Sequence, residues 1–140
     1  MSTAIDTNVL VALWDRDTAL NLRARTALDS AQRRGQLVIS APVFAELLAS
    51  RQRSEAFVDA FCNETGILID WVLEEAVWRA AGRGFQAYSL RPKRASGIGQ
   101  RRILADFLIG AHALKRDCAL LTFDDGLYRA AFPRLTVVSA

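Results

Sequence analysis

The stretch TAIDTNVLVALW, residues 3–14, joins a strand pattern to a helix pattern through one acidic residue. Residues 3–6 predict a short strand that ends at Asp6, and residues 8–14 predict a short helix. A strand that leads directly into a helix is the repeating unit of α/β folds.

The same alternation continues along the rest of the chain. Four further strands are predicted at LVIS (37–40), ILIDW (67–71), CALLTF (118–123) and LTVVS (135–139). Helices are predicted at 18–34, 54–64, 74–90, 102–116 and 124–132, with a loop at 91–100. A further helix is predicted to have Ser40 as its cap and Pro42 in its first turn, and to run to about Ala49. The pattern therefore predicts one α/β domain over residues 1–140, a sandwich with a mainly parallel sheet.

Composition favours a folded protein without a membrane segment. The chain has 140 residues, of which 51% are apolar, enough for one core. Its apolar runs are shorter than the ~20 residues that span a bilayer, and MSTAIDTNV lacks the basic opening of a secretory signal. We therefore expect a soluble cytoplasmic protein, in which Cys62 and Cys118 are reduced core thiols.

Four acidic residues lie in apolar sequence, where a buried carboxylate is costly unless a positive charge meets it. They are Asp6, Glu46, Asp106 and Asp124. Two end predicted strands and two lie on helices, so all four can converge at the carboxyl edge of a parallel sheet. Crowded carboxylates raise one another's pKa, and a Mg²⁺ or Mn²⁺ ion resolves that conflict. The neutral residues Asn8 and Thr122 are suited to orient water around such an ion.

Each of these residues also has a simpler structural explanation. Asp6 can cap the helix that follows it, and Glu46 can lie on an exposed helix face. Asp106 can pair with Arg102 or favour a helix N-terminus, and Asp124 can be a turn residue. His112, the only histidine, lies in apolar helical sequence and is interpreted as structural.

A block of cations without acids precedes the helix that carries Asp106. The net charge is +3 with a pI near 9.3, and five cations fall within twelve residues. Such a block favours contact with a polyanion. Its members are Arg91, Lys93, Arg94, Arg101 and Arg102.

Four segments together resemble the PIN-domain family of metal-dependent ribonucleases, and specifically the VapC-type toxins of toxin–antitoxin pairs. They are IDTNVLVAL (5–13), SAPVFAELL (40–48), LADFLIGAHAL (104–114) and LLTFD (120–124). The resemblance implies a three-layer α/β/α sandwich with a mainly parallel, roughly five-stranded sheet. It implies that the four acids bind Mg²⁺ or Mn²⁺, with Asn8 and Thr122 in support. Asp125 remains an alternative to Asp124, which better fits the Thr-x-Asp pattern.

The resemblance also implies a function and partners. The protein would be an endoribonuclease toxin that hydrolyses RNA by metal-activated water and is blocked by a VapB-like antitoxin. Family members of this size commonly dimerise through apolar helices, for which Trp14, Trp71 and Trp78 are candidates. The main alternative is a non-catalytic RNA-binding or regulatory module on the same fold. A phosphotransfer domain is disfavoured, because Asn8 stands where haloacid-type phosphatases need a second Asp.

Overall fold

The computed structural model of the protein describes residues 1–16, 19–90 and 104–140. The strands in these ranges are β1 (Thr3–Ile5), β2 (Leu37–Ser40), β3 (Leu68–Asp70), β4 (Ala119–Thr122) and β5 (Val137–Ser139). The helices are α1 (Thr7–Trp14), α2 (Ala19–Arg34), α3 (Ala41–Leu47), α4 (Glu55–Thr65), α5 (Glu75–Ser89), α6 (Leu104–Lys115) and α7 (Asp125–Ala131). None of these helices is long and apolar enough to cross a bilayer.

The five strands form one sheet in the order β3-β2-β1-β4-β5, and every neighbouring pair is parallel. The central strand β1 has β2 on one side and β4 on the other, and Ala4 is in register with both Val38 and Leu120. This arrangement confirms the predicted α/β/α fold with a parallel five-stranded sheet. It also brings the ends of β1 and β4 side by side, so Asp6 and Asp124 follow adjacent strands.

Helix α6 is the central helix of the core. Every residue from Phe107 to Ala113 is buried, including His112. A helix that is apolar on all sides must lie inside the protein, which explains why this segment has no amphipathic pattern. Cys62 and Cys118 are also buried, and both are free thiols.

Gly110 allows α6 to pack closely against α7 and the residue that follows it. A Cβ atom at position 110 would collide with the ring of Phe132 and lie 3.0 Å from Cδ1 of Tyr128. Because Gly110 has no side chain, Tyr128 can lie close to α6.

Several predicted boundaries differ from the structure. Ser40 lies at the N-cap position of α3, but its side chain makes no capping hydrogen bond. The prediction that Ser40 caps this helix is therefore wrong. Pro42 lies in the first turn of α3, where it has no N–H that would need a hydrogen-bond partner. Helix α3 ends at Leu47, because the N–H groups of Leu48 and Ala49 turn back to residues only three positions earlier. The strands at the sheet edges are shorter than predicted, and the predicted loop 91–100 lies outside the described residues.

Candidate active site at the carboxyl edge of the sheet

Asp6 follows β1 and lies at the point where the chain turns into α1. Its Oδ1 accepts a hydrogen bond from the Thr7 N–H at 2.8 Å, so it does cap the helix. Its Oδ2 accepts a second hydrogen bond from Oγ1 of Thr122 at 2.7 Å. Only 4% of Asp6 is exposed. Capping therefore explains one carboxylate oxygen, and the other is held by the end of the adjacent strand.

The environment of Asp6 opposes its negative charge. Burial raises its pKa from 3.8 to about 6, and the charge of Glu46 acts in the same direction. Hydrogen bonds from Thr122 and Thr7, and the nearby Tyr128 hydroxyl, lower the pKa and only partly offset the burial. Within residues 1–16, 19–90 and 104–140, no Lys or Arg forms an ion pair with this carboxylate. A bound cation would supply the charge compensation that these neutral donors do not.

Thr7 connects Asp6 to Glu46. While its N–H donates to Asp6, its hydroxyl donates to Oε1 of Glu46 at 2.6 Å. Glu46 is half-buried on α3, so the exposed-face explanation does not describe it. Thr7 was not predicted as a site residue, although a hydroxyl residue directly after a strand-ending acid is a usable signal. One residue thus holds carboxylates from two separate segments.

Thr122 and Asn8 hold the chain that leads to Asp124. Besides donating to Asp6, Oγ1 of Thr122 accepts from the Asp124 N–H at 2.9 Å. Oδ1 of Asn8 accepts from the Phe123 N–H at 3.2 Å. These two neutral residues, predicted to orient water, hold the backbone at the end of β4, from which Asp124 follows.

Tyr128 on α7 links Asp106 to the same region. Its hydroxyl is buried and has no hydrogen-bond partner of normal geometry in the described chain, yet it lies close enough to Asp6 for each to shift the other's pKa. Its own pKa is raised by burial and by the charges of Asp6, Asp106 and Glu46. Asp6, Asp106 and Glu46 therefore all lie near this hydroxyl. No sequence pattern singled out Tyr128, whose position depends on the packing of α7 against α6.

Asp125 has partners of its own, on α7 and β5. A hydrogen bond from the Ser139 side chain lowers its pKa, and Arg129 acts in the same direction. Nε of Arg129 lies 3.5 Å from Oδ2 of Asp125. Asp125 is therefore engaged with α7 and β5, whereas Asp124 is tied to Thr122.

The donor atoms at this edge suit a hard divalent cation, although the acidic side chains are widely spaced. Among the residues that the structure describes, no three acidic, His or Cys side chains lie close enough to hold an ion together as they stand. The donors available are carboxylate oxygens, which Mg²⁺ and Mn²⁺ prefer, and Mg²⁺ commonly keeps several waters in its shell. A buried carboxylate with a raised pKa beside two further acids is the observation that supports the fit.

The other predicted residues lie elsewhere. His112 is fully buried, and its Nε2 is 2.9 Å from Oδ2 of Asp70 on β3, in keeping with a structural role. Trp14 is half-buried, and its ring packs against Phe57 and Phe61. The five cations between 91 and 102 lie outside the described residues.

Comparisons with known proteins agree with this architecture. The model of the family described as "PIN domain" matches residues 3–133. VapBC2 from Rickettsia felis bound to a promoter DNA fragment has 19% identity and a TM-score of 0.69, over 99% of this chain and 98% of that chain. VapC20 of Mycobacterium tuberculosis, a Sarcin-Ricin loop cleaving toxin, has 18% identity and a TM-score of 0.61, over 93% and 95%.

A third solved structure has a similar fold. FitAcB from Neisseria gonorrhoeae has 23% identity and a TM-score of 0.63, over 96% of this chain and 95% of that chain. No curated protein sequence matches the chain. At these identities the solved structures establish a shared fold.

Proposed function

Because this chain belongs to the PIN domain family, we propose that it is a metal-dependent endoribonuclease that acts as the toxin of a type II toxin–antitoxin pair. The observation that carries the proposal is the network around Asp6. This buried acid is connected through Thr7 to Glu46 and through Thr122 to the backbone of Asp124. Its raised pKa supports a site that is completed by a cation. The substrate class we assign is RNA, and the cytoplasm is the compartment we propose for the activity.

Each side chain has a defined role in this proposal. Asp6, Glu46, Asp106 and Asp124 hold Mg²⁺ or Mn²⁺, with Asp125 as the alternative to Asp124. When bound, such an ion makes water more acidic and offsets charge on the phosphoryl oxygens. Thr7 keeps the carboxylates of Asp6 and Glu46 in fixed orientations, as partners of metal ligands commonly do. The cations between 91 and 102 contact the RNA backbone.

Replacement of one acid tests the activity. We expect Asp106→Asn to lower Mn²⁺-dependent cleavage of RNA by roughly 100-fold, because losing even an outer partner of a metal site costs 10–100-fold. The matched control is Asp29→Asn, an exposed acid on α2 far along the chain from the site. Cleavage by Asp106→Asn at the rate of the control would refute the proposed mechanism.

The proposed partners are a VapB-like antitoxin and a second copy of this chain. VapBC and FitAB complexes are among the matched structures, which supports an antitoxin. Trp71 and Trp78 are 57% and 48% exposed, and Leu68 and Val72 add to the apolar surface near Trp71. Trp14 is not proposed as a dimer contact, because its ring packs against Phe57 and Phe61 of the same chain. Light scattering of wild type and of Trp78→Ser tests the dimer, which the replacement should weaken.

A non-catalytic RNA-binding module is the second candidate. It is favoured by one observation, the lack of three convergent metal-binding side chains within the described ranges. It predicts RNA affinity that is unchanged by EDTA and no cleavage with Mg²⁺ or Mn²⁺. Cleavage that EDTA abolishes would exclude it.

A further inference from the structure

The ring of Tyr128 packs on the face of α6 that also carries Asp106. A Cβ atom at position 110 would lie 3.0 Å from Cδ1 of this ring, so the ring lies directly on the backbone of Gly110. Asp106 lies four residues before Gly110, and residues four apart share one face of a helix. Only 1% of Tyr128 is exposed, and its hydroxyl lies near both Asp6 and Asp106. The packing of α7 on α6 therefore brings a phenol to carboxylates from two separate segments.

The hydroxyl of Tyr128 is a buried donor that lacks an acceptor. It makes no hydrogen bond of normal geometry to any residue that the structure describes. A buried tyrosine hydroxyl usually has a partner, because burial removes it from water. A phenol keeps its proton at neutral pH, and burial together with the nearby acids raises the pKa of Tyr128 further. The group is therefore available to donate, and the acceptors near it are carboxylates.

The carboxylate of Asp6 can accept one more hydrogen bond and still bind a cation. Its two oxygens offer about four lone pairs. The Thr7 N–H takes one on Oδ1, and the Thr122 hydroxyl takes one on Oδ2. A bond from Tyr128 would take a third, which leaves one for a cation.

A donor beside Asp6 has a specific use at this site. Across the described ranges, no three acidic, His or Cys side chains converge closely enough to hold an ion, so the carboxylates must move closer together to bind one. A fixed donor limits the orientations that Asp6 can take as they do so. We infer that Tyr128 is a positioning residue of the metal site, whose hydroxyl donates to Asp6 and holds this carboxylate in the orientation that binds the cation. This inference rests on the proposed function and adds a residue to its site.

The competing role of Tyr128 is packing alone, in which the ring fills the space against Gly110. Packing predicts that removal of the hydroxyl leaves Mn²⁺ affinity unchanged. Positioning predicts that Mn²⁺ affinity falls while the protein without metal is no less stable, a combination that a general loss of structure does not produce. The matched control is Tyr88→Phe. Tyr88 is the other tyrosine of the chain, and its ring also packs on α6, 5.9 Å from the ring centre of Phe107.

The experiment measures Mn²⁺ binding at pH 7.5 without RNA, from the electron paramagnetic resonance signal of the free ion. We expect Tyr128→Phe to weaken Mn²⁺ binding about tenfold, at the lower end of the roughly 10–100-fold loss that follows removal of a metal ligand's partner. Tyr88→Phe should bind Mn²⁺ as wild type does. In EDTA at pH 4, the Tm of Tyr128→Phe should equal or exceed that of wild type, because the lost hydroxyl had no partner.

Cleavage measurements separate this inference from the proposed function. With limiting Mn²⁺, RNA cleavage by Tyr128→Phe should fall about tenfold, and it should recover at saturating Mn²⁺. The inference is overturned if Tyr128→Phe binds Mn²⁺ as tightly as Tyr88→Phe, if it also loses thermal stability in EDTA, or if cleavage stays low at saturating Mn²⁺. In each of these cases, Mn²⁺-dependent cleavage by wild type leaves the proposed function standing. If wild type neither binds Mn²⁺ nor cleaves RNA, both are overturned.

Discussion

The burial of Asp6 works against the stability of the metal-free protein at neutral pH. Its pKa in the folded protein is about 6, against an ordinary value of 3.8. A raised pKa means that the folded state favours the protonated form. The contribution to stability is therefore complete below about pH 4 and is lost as the pH rises through 6. At neutral pH the ionised carboxylate costs the metal-free protein about 3 kcal/mol.

Replacing Asp6 by Asn should remove this pH dependence. In EDTA, the free energy of unfolding of wild type should fall between pH 4 and pH 7, and that of Asp6→Asn should fall by about 3 kcal/mol less. Urea unfolding at several pH values measures both. Asp29→Asn should keep the wild-type dependence. Parallel curves for wild type and Asp6→Asn would show that Asp6 is not strained by its burial.

Tyr128 allows a test by removal of a single oxygen atom. Its hydroxyl is buried without a hydrogen-bond partner of normal geometry in the described chain, and such a group costs about 1–3 kcal/mol. Tyr128→Phe keeps the ring, so the metal-free protein should be equally stable or up to about 1 kcal/mol more stable. Thermal unfolding in EDTA at pH 4, where Asp6 is protonated, checks this. A loss of stability would mean that the hydroxyl makes a hydrogen bond.

At the scale of the elements, the distance between α6 and α7 sets the distance between Asp106 and Tyr128. We expect Gly110→Ala to destabilise the protein by about 1–3 kcal/mol, because the new methyl group meets the rings of Phe132 and Tyr128. The control is Gly82→Ala on α5, where no atom lies within 4 Å of the new Cβ. There alanine should stabilise by up to about 1 kcal/mol through its higher helix propensity. Equal effects at the two glycines would contradict the close approach of the helices.

The elements themselves were largely predictable from the sequence, whereas their ends were not. Alternating strand and helix patterns predicted all five strands, because apolar strands in such a pattern form a parallel sheet. The patterns left open whether the strands before Asp6 and Asp124 are neighbours, which the strand order now shows. Ser40 has the residue type of an N-cap, but its backbone and burial leave its hydroxyl without a bond in the described structure. Residue type predicts capacity to cap, while the local geometry decides whether the bond forms.

The contacts of the site depend on the whole molecule. Thr7 meets Glu46 across 39 positions, and Arg23 meets Ala140 across 117. Such contacts follow from the packing of helices on both faces of the sheet, which no local pattern contains. The sequence could therefore predict which acids follow strands or lie on helices near one edge, and it could not single out Thr7 or Tyr128 as the residues between them.

Metal binding should be visible in the stability of the molecule as a whole. A ligand that binds only the folded state at 100 times its Kd stabilises it by about 2.7 kcal/mol, which corresponds to a rise of roughly 5–10 °C in Tm. We expect Mn²⁺ to raise the Tm at pH 7.5 by this order, and less at pH 5, where protons compete for Asp6. Asp6→Asn and Asp106→Asn should lose most of the rise, and Asp29→Asn should keep it. A similar rise with KCl at equal ionic strength, or in the two site variants, would mean that the ion acts on general surface charge instead of on these carboxylates.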